Sequence, residues 1–130
     1  MTVNKQNNYI STHSSISPSS LAFFSHPDLN VNVIAVDWYP LATWDNYFRA
    51  AQNAVRVGAY CGEVIGVEIL LNGLGQSPDQ IHAIGHSLGG QLVGHFGRQF
   101  KEVGRQGPIA RISCKYFLIF CNYLLILQSY

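Results

Sequence analysis

Residues 85 to 89 read Gly-His-Ser-Leu-Gly, a G-x-S-x-G pattern that can hold a serine on a sharp turn between a strand and a helix. Gly85 and Gly89 have a steric reason there. Such a turn leaves no room for side chains at the two flanking positions, and it holds the serine in a strained backbone conformation with its hydroxyl exposed. The chemistry would be nucleophilic attack by Ser87 on an acyl carbon. The N-terminus of the following helix would supply positive potential, and the backbone N–H of Leu88 would donate to the oxyanion. A glycine-rich strand-to-helix turn can also hold a phosphate, but neither G-x-G-x-x-G nor a Walker lysine accompanies this one.

A serine hydroxyl is a weak nucleophile until a base takes its proton. Where the elbow motif occurs, the acid and the histidine follow the serine in chain order. After Ser87 this sequence has no aspartate, one glutamate (Glu102) and one histidine (His95). His95 lies about 12 Å along a helix axis from Ser87, out of hydrogen-bonding reach, so a surface or packing role is expected. His86 adjoins the nucleophile, but neighbours in a sharp turn project in different directions. Asp37 precedes the serine and is expected to stabilise a turn. The triad acid and histidine are therefore none in this chain, and a complete small esterase built on His86 or Asp37 is geometrically poor. Cys61, Cys114 and Cys121 are an odd number without C-x-x-C or His-paired spacing. They indicate neither a zinc site nor a closed disulfide set, and at least one thiol stays free or pairs elsewhere. No metal and no cofactor are expected.

The elements that must position Ser87 can be read from periodicity. Val31 to Val36 is β-branched and stops at Asp37-Trp-Tyr-Pro40, which predicts a buried strand. A helical stretch from Thr43 to Leu74 follows, with Phe48, Ala51, Val55, Tyr60, Val64, Val67 and Leu71 spaced as one buried face. Gly73, Gly75 and Ser77-Pro78-Asp79 end it. Gln80 to Ile84 is a second strand, the elbow leads into a helix reaching Val103, and Pro108 to Ile112 is a third strand. Successive right-handed crossovers would make these three strands parallel neighbours, with Ser87 at the carboxyl end of the central one. The expected fold class is α/β, a parallel sheet with helices on both faces.

Residues 1–25 are polar and serine-rich and are expected to be a disordered or non-native leader without a secretory h-region, although Leu21 to Phe24 can begin a short helix and His26 to Asn30 has turn chemistry. A net charge of +1 with 12% charged residues offers no basic patch for a nucleic acid. Phe117 to Leu127 is the one strongly apolar run, and its eleven residues are too few for a transmembrane segment, which needs about twenty. This tail, residues 114–130, lacks helical or strand periodicity. With no charge or proline from Tyr116 to Leu127, it has an aggregation-prone composition, and deleting Lys115 to Tyr130 is expected to improve solubility without restoring esterase activity.

Val36-Asp37-Trp38, the stretch Ala51 to Gly58, Ser77-Pro78 and above all Ile81 to Gly90 with Gly94 and Gly97 resemble the pancreatic-type lipases and their insect-type relatives. The resemblance covers residues 26–113. It implies a partial α/β-hydrolase fold and an extracellular serine ester hydrolase acting on acylglycerols or phospholipids at a lipid interface, with Ser87 as nucleophile. It also implies that this chain is the middle of a catalytic domain, because the family's His-Gly segment with the second oxyanion donor is missing ahead of His26. Tyr116 stands where the family's catalytic aspartate belongs. The chain alone is thus expected to be inactive. The alternative is a non-catalytic lipid-binding relative, similar to the family's yolk proteins, against which the retained elbow argues.

Overall fold

The computed structural model describes residues 2–3, 9–11, 31–42, 46–115 and 123–129, with side chains over 31–42 and 46–114. Its elements in chain order are β1 (Thr2–Val3), β2 (Tyr9–Ser11), β3 (Val31–Asp37), α1 (Tyr47–Cys61), β4 (Ile81–His86), α2 (Leu88–Gly104), β5 (Arg111–Lys115) and β6 (Tyr123–Ser129). The proposed helix at 21–24, the turn at 26–30 and Tyr116 lie outside the described residues. The first 25 residues, read from sequence as an unstructured leader, contribute β1 and β2.

One sheet has the order β1-β2-β3-β6-β4-β5. β2 runs parallel to β3, and β4 runs parallel to β5. The expectation that β3 and β4 are direct neighbours is corrected: β6 lies between them, antiparallel to both, with Ile126 opposite Ile34 on one side and Ala83 on the other. β3 and β4 are therefore parallel to each other but one strand apart. Residues 123–129 of the tail fill that position. The third strand starts three residues later than expected. Pro108 has no N–H to give a ladder, Ile109 is buried in the core, and the Ala110 N–H donates to the Pro78 carbonyl at 2.8 Å.

The expectation of helices on both faces is also corrected among the described residues. Ile34, Ile81 and Ala83 join Ala54, Cys61, Leu70, Leu92, Phe96 and Phe100 in one core, whereas Val31, Val33, Ala35 and Ile84 form a separate cluster on the opposite face. Both crossovers step across the sheet in the same direction, so a right-handed path puts α1 and α2 on the same side.

Asn46 caps α1, its side-chain carbonyl accepting from the Arg49 N–H at 3.0 Å. Beyond Cys61 the helix continues through Gly62–Gly73 in wider, π-type turns, closed by the Leu74 N–H donating to the Ile69 carbonyl at 2.9 Å. Its buried face differs from the expected one in the first half. Val67 and Leu71 are buried as expected, but Phe48 and Tyr60 are 81% and 66% exposed. The buried positions there are Ala50, Ala54, Gly58 and Cys61. The cause is close approach to α2. A Cβ at Gly58 would meet the Leu92 carbonyl, one at Gly62 would lie 2.5 Å from the Phe96 carbonyl, and one at Gly66 would lie 2.5 Å from the Phe100 ring. Small residues let the two backbones meet, and Phe96 and Phe100, stacked with centroids 6.2 Å apart, fill the groove between them. No helix among the described residues is long and apolar enough to cross a membrane.

Candidate active site

Ser87 stands between the last residue of β4 and the first of α2. Its backbone has φ 56° and ψ −121°, a region that a non-glycine residue occupies at a cost of about 1–3 kcal/mol. The local sequence makes that turn possible. A Cβ at Gly85 would collide with the Gly89 carbonyl and stand 2.7 Å from the Gly90 nitrogen, so only glycine lets strand and helix meet this closely. Gly89 is buried in the first turn, and the Gly90 N–H donates to the Ser87 carbonyl at 2.9 Å.

The Ser87 side chain is half-buried and does not cap α2. The Leu88 N–H, in the first turn, has no carbonyl within the helix to bond. Ser87 and the Leu88 amide are thus consecutive at a helix N-terminus, where negative charge is favoured.

Among the described residues, neither candidate histidine is hydrogen-bonded to Ser87. Burial first, and the Arg98 charge second, hold the His95 imidazole below its ordinary value of 6.5, and its Nδ1 lies 2.7 Å from the Arg98 guanidinium. The His86 Nδ1 is buried without a hydrogen-bond partner. Asp37 holds the turn after β3, its carboxylate accepting the Tyr39 N–H at 2.9 Å.

Sequence reasoning missed a polar pair on the face opposite the helices. His82 on β4 and Ser113 on β5 are hydrogen-bonded, Nε2 to Oγ, at 2.9 Å. The only signal available was the alternation of β4, in which residues 82, 84 and 86 share one side, and it could not reveal the partner strand. Burial first, and the Arg111 charge second, lower the His82 pKa from 6.5. With both His82 and His95 depressed, the unfolded chain binds protons at higher pH than the folded one. Stability is therefore complete above the unfolded value near 6.5 and is lost as the pH falls through the folded values. The urea midpoint is expected to fall between pH 7.5 and pH 5.5, and to fall less in His82→Gln. A midpoint that rises on acidification would contradict this environment.

Of the two cysteines among the described residues, both are free. Cys61 is buried, which pushes its thiol up to about 11, and Cys114 is exposed.

The lipase family model matches residues 10–114. Pancreatic triacylglycerol lipase of Sus scrofa is 40% identical over 84 residues, which are 65% of this chain and 17% of that protein. Pancreatic lipase-related protein 2 of Bos taurus is 43% identical over 76 residues, 58% of this chain and 16% of that protein. The human pancreatic triacylglycerol lipase is 39% identical over 84 residues, 65% of this chain and 16% of that protein. The chain thus spans about a sixth of the length of these relatives. No solved structure gives a significant match.

Proposed function

This chain belongs to the lipase family, and on that footing we propose that it is the nucleophile-bearing part of an extracellular serine ester hydrolase of the α/β-hydrolase fold, acting on acylglycerol or phospholipid esters at a lipid interface. The observation that carries the reading is the positive φ of Ser87 between two glycines at a strand-to-helix turn. A lipid-binding protein without catalysis has no use for that strain.

In the proposed reaction the Ser87 hydroxyl attacks the ester carbonyl, and the Leu88 N–H stabilises the tetrahedral oxyanion. Gly85 and Gly89 provide the turn. The proton of Ser87 must pass to a histidine oriented by a carboxylate, and in this reading both lie outside the chain. The relatives' remaining length is where such groups would reside.

The test has two arms. The chain alone, assayed on a short-chain nitrophenyl ester, is expected to turn over within about threefold of its Ser87→Ala variant, since an unassisted hydroxyl is a weak nucleophile. A large difference would reveal a base within the chain. In a chimera carrying residues 26–113 in place of the matching segment of the porcine lipase, Ser87→Ala is expected to reduce turnover by about a thousandfold or more. Full activity in that variant would remove Ser87 from the mechanism.

A further inference from the structure

On the sheet face opposite the helices, the Ser113 hydroxyl and the His82 Nε2 are 2.9 Å apart, a separation at which a base can take a nucleophile's proton. His82 lies four residues before the end of β4, about 13 Å along the strand from His86. The pair is thus separate from the elbow. Both side chains are half-buried and keep part of their surface in solvent. The lowered His82 pKa keeps the imidazole neutral at neutral pH, and with its proton on Nδ1 the ring accepts the Ser113 O–H at Nε2. Arg111 adds a third group. It stands opposite His82 in the strand register and two residues before Ser113, on the same face of β5, and it is exposed. A nucleophile, a base and a cation therefore share one patch on two neighbouring strands.

We propose that Ser113, with His82 as its base, is a second nucleophile that takes the acyl group from small aryl esters carrying an anionic group. In the step, Ser113 Oγ bonds to the acyl carbon while its proton passes to His82 Nε2 and the carbonyl electron pair moves to oxygen. Return of that pair breaks the bond to the phenolate, which leaves with the proton from His82. The products are an ester on Ser113 and a free phenol. An aryl ester is required because a general base by itself supplies only about 10²–10⁴-fold, so the leaving group must already be a good one. Arg111 selects the charge, since a guanidinium offers two parallel N–H bonds to an anionic group. Ser87 takes no part in this step.

Acetylation of the full chain by 4-acetoxybenzenesulfonate, with 4-nitrophenyl acetate as the uncharged donor and peptide mass spectrometry as the readout, tests it. Ser113 is expected to be acetylated about a hundredfold faster than the exposed Ser77. His82→Gln can keep a hydrogen bond to Ser113 but cannot act as a base, and it is expected to remove that advantage. Arg111→Gln is expected to slow the sulfonate ester about threefold, the scale of an exposed ion pair, and to leave 4-nitrophenyl acetate unchanged. Mapping by residue separates Ser113 from Ser87, so failure here and failure of the elbow reading are distinct results. Ser113 reacting no faster than Ser77 in the unsubstituted chain, a comparison that needs no variant to fold, would overturn the proposal. So would an undiminished rate in a His82→Gln chain with the parent's circular dichroism spectrum. Equal slowing of both esters in Arg111→Gln would overturn the choice of an anionic donor.

Discussion

Removing residues 123–130 is expected to abolish the cooperative unfolding transition of this chain. Among the described residues β6 alone links β3 and β4 within the sheet, being paired along Val31–Asp37 on one side and Ile81–Gly85 on the other. Adjacent strands are about 4.8 Å apart, so without β6 the two parallel strands stand about twice that distance apart and cannot bond to each other. Each buried backbone group left unpaired costs about 1–3 kcal/mol. Several such groups together match the 5–15 kcal/mol that a domain normally has in total. The sequence-based expectation that deleting the tail improves solubility is thereby reversed. Thermal unfolding followed by circular dichroism decides the matter: a truncated chain that melts cooperatively within a few degrees of the parent would show β6 to be dispensable. Ile126→Pro gives a finer test, because it removes one N–H and forbids the ring in a strand paired on both sides. It is expected to reproduce most of the effect of deletion, without altering the length of the chain.

The second large effect is expected at Gly85. Replacing it with alanine drives a methyl group into the Gly89 carbonyl and to within 2.7 Å of the Gly90 nitrogen, both of them backbone atoms that no rotamer change can move. Overpacking typically costs about 1–3 kcal/mol, and a backbone clash belongs at or beyond the upper end. The denaturant midpoint should drop accordingly. The matched comparison is Gly94→Ala, at an exposed position of α2 where an added Cβ meets nothing within 4 Å. That substitution is expected to stabilise the protein by up to about 1 kcal/mol, the difference between the two residues in a helix interior. Equal effects at the two positions would mean that the elbow is not closed as tightly as the structure has it.

The elbow was legible. Its glycines, its serine and the amide of Leu88 are contiguous, and steric exclusion over five residues acts the same way whatever surrounds it, so motif and backbone agree at Ser87 φ 56°. The turn role of Asp37 was legible for the same reason, since it bonds to an amide two residues away. The existence of β3, β4 and α2 followed from periodicity, because the burial of an alternating or helical face is written in residue order.

What the tertiary structure alone decided depends on distant partners. The buried face of α1 lies on Ala50, Ala54 and Gly58 instead of Phe48, Val55 and Tyr60. Hydrophobicity counts apolar bulk, whereas the close approach of α2 rewards its absence. The bond between His82 and Ser113 required β5 to be placed beside β4. The antiparallel insertion of β6 could not be read from the tail, because the apolar run Tyr123 to Leu127 carries no alternation to fix its face, direction or neighbours. Only the unpaired edges that β3 and β4 present to each other determine where it goes.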